Sequence, residues 1–122
     1  MKIFGHPWIE SEPFFLIKTI DEIKETPPNT LLKIEAFNIE LLNYCHKNAL
    51  PYMVGVSNIK EAIFANLLHA KYMVASKSLA KELMPIAQNY LFDTQVLAII
   101  GHDDEIEEMA RVNLDGVLLS LK

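Results

Sequence analysis

Residues 51–76, PYMVGVSNIKEAIFANLLHAKYMVAS, carry the reading that decides the fold. The stretch opens on the short apolar run Tyr52–Val56 (YMVGV) and closes on a second, Tyr72–Ser76 (YMVAS). Each has strand length, and a nearly continuous apolar run is what a parallel strand covered on both faces shows. Between them Ile59, Ile63, Asn66, Leu67 and Ala70 fall on one face of a helical wheel. Asn58 stands three residues before Glu61, as in a capping box. Strand, helix and strand in succession make a βαβ unit with parallel strands and a right-handed crossover.

The same grammar extends in both directions. Leu31–Phe37 (LLKIEAF), Gln95–Ile100 (QVLAII) and Gly116–Ser120 (GVLLS) are three more strand candidates. Ile39, Leu42, Cys45 and Ala49 share one helical face; so do Leu79, Leu83, Ile86 and Tyr90; so do Ile106, Met109 and Ala110. Asp104 and Glu107 form a second capping pair. Pro85 removes a backbone donor inside its helical run, which predicts a kink or two short helices. Upstream, Phe14–Ile17 is a candidate sixth strand and Thr19–Glu25 a short helix opened by Thr19 and Glu22, with Thr26-Pro27-Pro28-Asn29 turning the chain.

The expectation is one α/β domain over residues 1–122, with 1–29 as an N-terminal segment and 30–122 as a strand–helix repeat core. Helices on both faces would make it a three-layer domain with a mainly parallel five-stranded sheet, extended to six by Phe14–Ile17. A flavodoxin-like strand order is preferred, with a Rossmann-like half or a partial barrel behind it. Ala110–Ser120 (ARVNLDGVLLS) resembles the helix–turn–strand joints of phosphate-binding barrels, a likeness too short to assign a family. A closed (βα)8 barrel needs roughly 200 residues or more, so this chain falls short of one.

Composition narrows the function classes. Apolar residues make up 51% of the chain and charged ones 22%, the balance of a globular domain. Eleven Lys and Arg against sixteen Asp and Glu leave a net charge of −5, which argues against nucleic-acid binding and against anionic membrane surfaces. The single cysteine, Cys45, excludes an intrachain disulfide and a Cys-rich zinc site, and its apolar helix face suits a core residue. Polar residues interrupt the apolar runs of MKIFGHPWIESEPFF, so the expected location is the cytoplasm.

Ligands of open parallel sheets bind outside the carboxyl ends of the strands. The residues placed there are Glu35 and Asn38, Ser57 and Asn58, Ser76-Lys77-Ser78, and Gly101-His102-Asp103-Asp104. Gly55-Val56-Ser57 invites comparison with a nucleophile elbow, but Ile59 stands where that turn needs a second glycine. Ser57 therefore reads as a helix-opening hydroxyl. Gly55, inside a strand, marks the close approach of a ligand or of backbone. Ser76, Lys77 and Ser78 offer hydroxyls, an ammonium and helix N-terminal amides to a phosphate or carboxylate, although no glycine-rich phosphate loop occurs.

His102, Asp103 and Asp104 could ligate a divalent cation, with magnesium suggested by the hard carboxylate oxygens. Glu105, Glu107 and Glu108 follow them, and the helix dipole favours carboxylates in a first turn without any function, so capping is the competing explanation. A cation between the two loops would let Asp103 and Asp104 coexist with an anionic ligand near Lys77. The leading expectation is thus a domain that binds a small phosphorylated or carboxylated molecule at the carboxyl edge. The alternative is an oligomeric interaction or scaffold protein without catalysis. Phe64 and Leu68 lie off the core face of their helix and suggest a homodimer. Catalysis by His102 and Asp103 ranks last, because no nucleophile–base–orienter set is visible. His46 and His69 are expected at the surface, and His6, in Gly5-His6-Pro7-Trp8, lies in the unread segment.

Overall fold

The computed structural model describes residues 1–120. Its elements are β1 (Lys2–Phe4), β2 (Phe14–Ile17), α1 (Ile20–Lys24), β3 (Leu31–Ile34), α2 (Ile39–Lys47), β4 (Tyr52–Gly55), α3 (Ile59–Leu67), β5 (Tyr72–Ala75), α4 (Lys77–Asn89), β6 (Gln95–Ile100), α5 (Glu105–Arg111) and β7 (Gly116–Leu119). All seven strands pair in parallel, in the order β1-β7-β6-β5-β4-β3-β2. Among the described residues, no helix is long and apolar enough to cross a membrane.

The winding departs from the expected order. From β2 to β7 each strand lies beside its predecessor, so the crossovers never reverse direction. Right-handed crossovers of that kind put every helix on the same face. Buried residues of all five helices accordingly join one face of the sheet in a single core, where Leu42, Ala62, Leu83 and Met109 meet Ile34, Val54, Ala75 and Ala98. The opposite face holds a separate cluster of Phe4, Leu31, Met53, Tyr72, Val74, Leu97 and Leu118, with no helical residue in it. Curvature closes that face: the sheet curls into a half-barrel. The rings of Phe4 and Phe14, on the two edge strands, come to 6.2 Å across the concave side, and Phe4 meets Tyr72 at 5.3 Å.

The preferred three-layer, flavodoxin-like arrangement and its Rossmann-like alternative are therefore replaced by a curled sheet with one helical layer, the partial-barrel alternative. Strands apolar on both faces mimic a helix-covered sheet, because the concave side chains cover one another. The five expected strands and the sixth are all present, and β1 is a seventh.

Side-chain caps open four helices: Thr19 accepts from the Glu22 amide, Asn38 from Glu40 and Leu41, Asn58 from Glu61, and Ser76 from Leu79. Four helices close on a residue of positive φ, namely Ala49, His69, Leu91 and Asn113. At Leu91 the amides of Leu91 and Phe92 donate back to Gln88 and Ala87, the Schellman pattern that favours glycine. Leu91 has φ 54° and is 83% exposed, so its side chain adds strain and little packing. Leu91→Gly is expected to stabilise the protein by about 1 kcal/mol and to raise Tm by about 4 °C in a reversible melt.

Two helices differ from expectation. α4 runs unbroken through Pro85, which sits on its exposed side, where the carbonyl left without a donor can meet water. α3 packs on Ala62 and Ala65, while Ile59, Ile63, Phe64 and Leu67 are 37–62% exposed. The small alanines let the helix sit close to the sheet, and the bulky stripe assigned to the core faces out. Leu68 instead turns inward against the core, so only Phe64 of the expected outward pair is exposed. Asn66 has the inward partner its position required, accepting from the Thr94 amide at 3.2 Å.

Candidate functional site

The carboxyl ends of β1 and β6 meet across β7, and this brings a residue from the unread segment into the site. Gly5 turns the chain after β1 with φ 88°; a Cβ there would lie 2.7 Å from the Leu119 carbonyl oxygen. His6 follows and points at the β6–α5 loop, where its Nε2 lies 3.1 Å from Asp103 Oδ2. The Trp8 amide donates to His6 Nδ1 at 3.1 Å, so the ring proton resides on Nε2 and is donated to Asp103. The His6 side chain is only 9% exposed and its ring lies 5.1 Å from that of Trp8.

Both residues line a cleft of about 560 Å³. Ile3, Trp8, Ile9 and Ile106 supply apolar walls, and Asp103, Asp104 and Glu107 supply carboxylates. Asp103 and Asp104 of this lining and the neighbouring His102, which is outside it, each offer a ligand atom, all within 4.8 Å of one another. His102 Nδ1 lies 3.4 Å from Asp103 and 3.3 Å from Asp104. One imidazole and two carboxylates at that spacing can coordinate a divalent cation.

The loops after β5 and β6 come together, but through a different pair of residues than the cation bridge envisaged. Lys77 Nζ lies 2.5 Å from Glu105 and 3.7 Å from Glu108, and Lys81 holds Glu108 at 2.5 Å. Glu105 also accepts from the amides of Gly101 at 2.8 Å and His102 at 3.0 Å. It caps its own loop from inside the helix, and Asp104 makes no side-chain cap. The Lys77 ammonium, followed by those two amides, holds the Glu105 carboxyl at about 2, below its ordinary 4.5, and Glu105 in turn raises Lys77.

A depressed carboxylate stabilises the fold above its unfolded-state value and loses that contribution as pH falls toward its folded-state value. Acid unfolding should therefore include a limb between about pH 4.5 and 2 from Glu105. Lys77→Met, followed by circular dichroism across that range, should flatten the limb; an unchanged slope would remove Glu105 as its source.

Ser76 spends its hydroxyl on the Leu79 amide, and Ser78 Oγ sits 3.4 Å from Ser76 Oγ. Both border an open depression with Lys77, Lys81, Ile99 and Glu108. What approaches Gly55 is backbone, since a Cβ there would lie 2.1 Å from the Glu35 carbonyl oxygen. At Ser57 the amide donates to Glu61, completing the capping box with Asn58. Cys45 is fully buried, and burial pushes its thiol up to about 11. His6 is the residue that sequence reasoning missed; the only signal was Gly-His-Pro directly after Lys2-Ile3-Phe4.

Compared with protein-family models and with curated protein sequences, the chain matches none.

Proposed function

We propose that this protein binds a small molecule at the carboxyl edge of its half-barrel, in the cleft between Trp8 and Ile106, with a divalent cation on His102, Asp103 and Asp104. The observation that carries the reading is the His6–Asp103 hydrogen bond, which seats a metal-capable carboxylate at the mouth of a part-apolar cleft. Both ring nitrogens of His6 are engaged, so it orients Asp103 rather than serving as a free base.

The ligand class follows from charge. Asp103, Asp104 and Glu107 would repel a bare anion, and Lys77 is committed to Glu105. A phosphorylated or carboxylated ligand would bind through the cation, its apolar part against Trp8, Ile9 and Ile106. Magnesium suits the carboxylates, and the imidazole extends the set to manganese. In a thermal-shift screen, Mn2+ with a panel of phosphorylated metabolites should raise Tm beyond the sum of the separate shifts. A panel without effect in the presence of either metal would sink the reading.

A second reading concerns assembly and rests on α3. Ile59, Ile63, Phe64 and Leu67 make a contiguous exposed apolar stripe, which a two-fold partner would bury. Light scattering at micromolar concentration should show a dimer that Phe64→Lys dissociates. A monomer before substitution would refute it.

A further inference from the structure

Trp8 is the most exposed large apolar side chain among the described residues, at 85%, yet its backbone is held in place. Its amide donates to His6 Nδ1 at 3.1 Å, and the next amide, of Ile9, donates to the His6 carbonyl at 3.2 Å. The His6 ring meets the indole at 65°. An indole anchored this way, with most of its surface open, offers a π face to a ligand. It shares the cleft wall with Ile9 and Ile106 and with the carboxylates of Asp103, Asp104 and Glu107. Among the described residues, no lysine or arginine lines that cleft. Arg111 takes one Glu107 oxygen at 2.6 Å, but from outside the lining.

We infer that the cleft takes an organic cation, a ligand whose alkylated ammonium group sits on the Trp8 ring, with the lining carboxylates, Glu107 foremost, balancing its charge. The inference rests on the cleft of the proposed function and names a further part of its ligand, but it needs no metal. Tryptophan has the best π face for a cation, which it attracts within about 6 Å of the ring centroid. Charge complementarity fixes the sign of the guest, since three carboxylates and no basic side chain line the cleft. An alkylated ammonium suits these walls better than a primary one. A primary ammonium is strongly hydrated, whereas methyl groups can lie against Ile9 and Ile106. The cleft volume of about 560 Å³ falls within the roughly 300–1,000 Å³ of small-molecule sites. A metal on Asp103 and Asp104 would leave Glu107 and the Trp8 face to the ammonium, while an anionic group on the same ligand reached the metal.

Trp8 is the one tryptophan of the chain, so its fluorescence reports on the site directly. Choline titrated into the metal-free protein should shift the Trp8 emission saturably. Its uncharged isostere 3,3-dimethylbutan-1-ol should bind about tenfold more weakly, because only the charge differs. In a calorimeter, Trp8→Leu should weaken choline binding by about tenfold and Trp8→Phe should restore part of it. Glu107→Gln should weaken it by about threefold. Circular dichroism melts verify that the variants are folded, which the exposed positions of Trp8 and Glu107 favour. Choline bound no better than its isostere, or with affinity unchanged in Trp8→Leu, would overturn the inference. Stabilisation by Mn2+ with inorganic phosphate would then still support the proposed function. Choline bound as expected, with phosphocholine held no tighter in Mn2+ than without it, would instead keep the organic cation and remove the metal.

Discussion

Gly55→Ala is expected to destabilise the protein by about 3 kcal/mol, at the upper end of what overpacking costs. The added methyl would lie 2.1 Å from the Glu35 carbonyl oxygen and 3.2 Å from its carbon. Those atoms are backbone at the end of β3, so no rotamer change relieves the clash. β3 and β4 would have to part where Ile34 pairs with Val54, inside the main core. The φ angle of Gly55 is not positive, so the effect is purely one of contact. Gly101→Ala is the matched control, because a Cβ at Gly101 meets nothing within 4 Å among the described residues. Urea denaturation should lower the midpoint sharply for the first substitution and hardly at all for the second. Equal midpoints would show that the close approach of β3 to β4 is not a constraint on the fold.

The second large effect concerns the carboxyl edge. If His102, Asp103 and Asp104 hold a cation, saturating Mn2+ at a hundred times Kd adds about 2.7 kcal/mol of apparent stability. Asp103→Asn should remove most of that gain, because the amide keeps an oxygen for His6 but loses the charge that binds the ion. Glu107→Gln, on the cleft but outside the ligand set, should keep it. Calorimetric melts with and without Mn2+ give both numbers. Identical metal-dependent shifts in the two variants would assign the effect to diffuse surface charge.

Much of this architecture was legible because its signals are local. Short apolar runs marked β3 to β7, and residues such as Asn58 and Glu61 marked helix starts through contacts three residues apart. The winding was legible only as a partial-barrel alternative behind the preferred order, because it is decided by long-range closeness. Gly116 lets Lys2 approach, since a Cβ there would sit 2.5 Å from the Lys2 carbonyl oxygen, and this joins opposite ends of the chain. The packing face of α3 was misread for a related reason. Hydropathy ranks Ile63 and Leu67 above Ala62 and Ala65, but the distance between helix and sheet selects the smaller pair.

The site divides along the same line. Ser76-Lys77-Ser78 and Gly101–Asp104 follow consecutive strands, so their proximity could be reasoned from the order of elements. His6 could not be placed, because β1 is three residues long and its partner β7 lies at the other end of the chain. The role of Glu105 was also hidden. As one of several first-turn carboxylates it looked like dipole decoration, whereas it ties Lys77 to the Gly101 and His102 amides.

The central claim, a cation-dependent ligand site at the carboxyl edge, is tested most directly by nuclear magnetic resonance of the 15N-labelled protein titrated with Mn2+. Paramagnetic broadening falls off steeply with distance and so reports where the ion sits. The account predicts that the amides of His102, Asp103 and Asp104 broaden first, followed by His6 and Trp8, while Ala49 and Ala70 at the amino edge stay sharp. Broadening that spares the His102–Asp104 loop, or that spreads evenly over all exposed carboxylates, would contradict it.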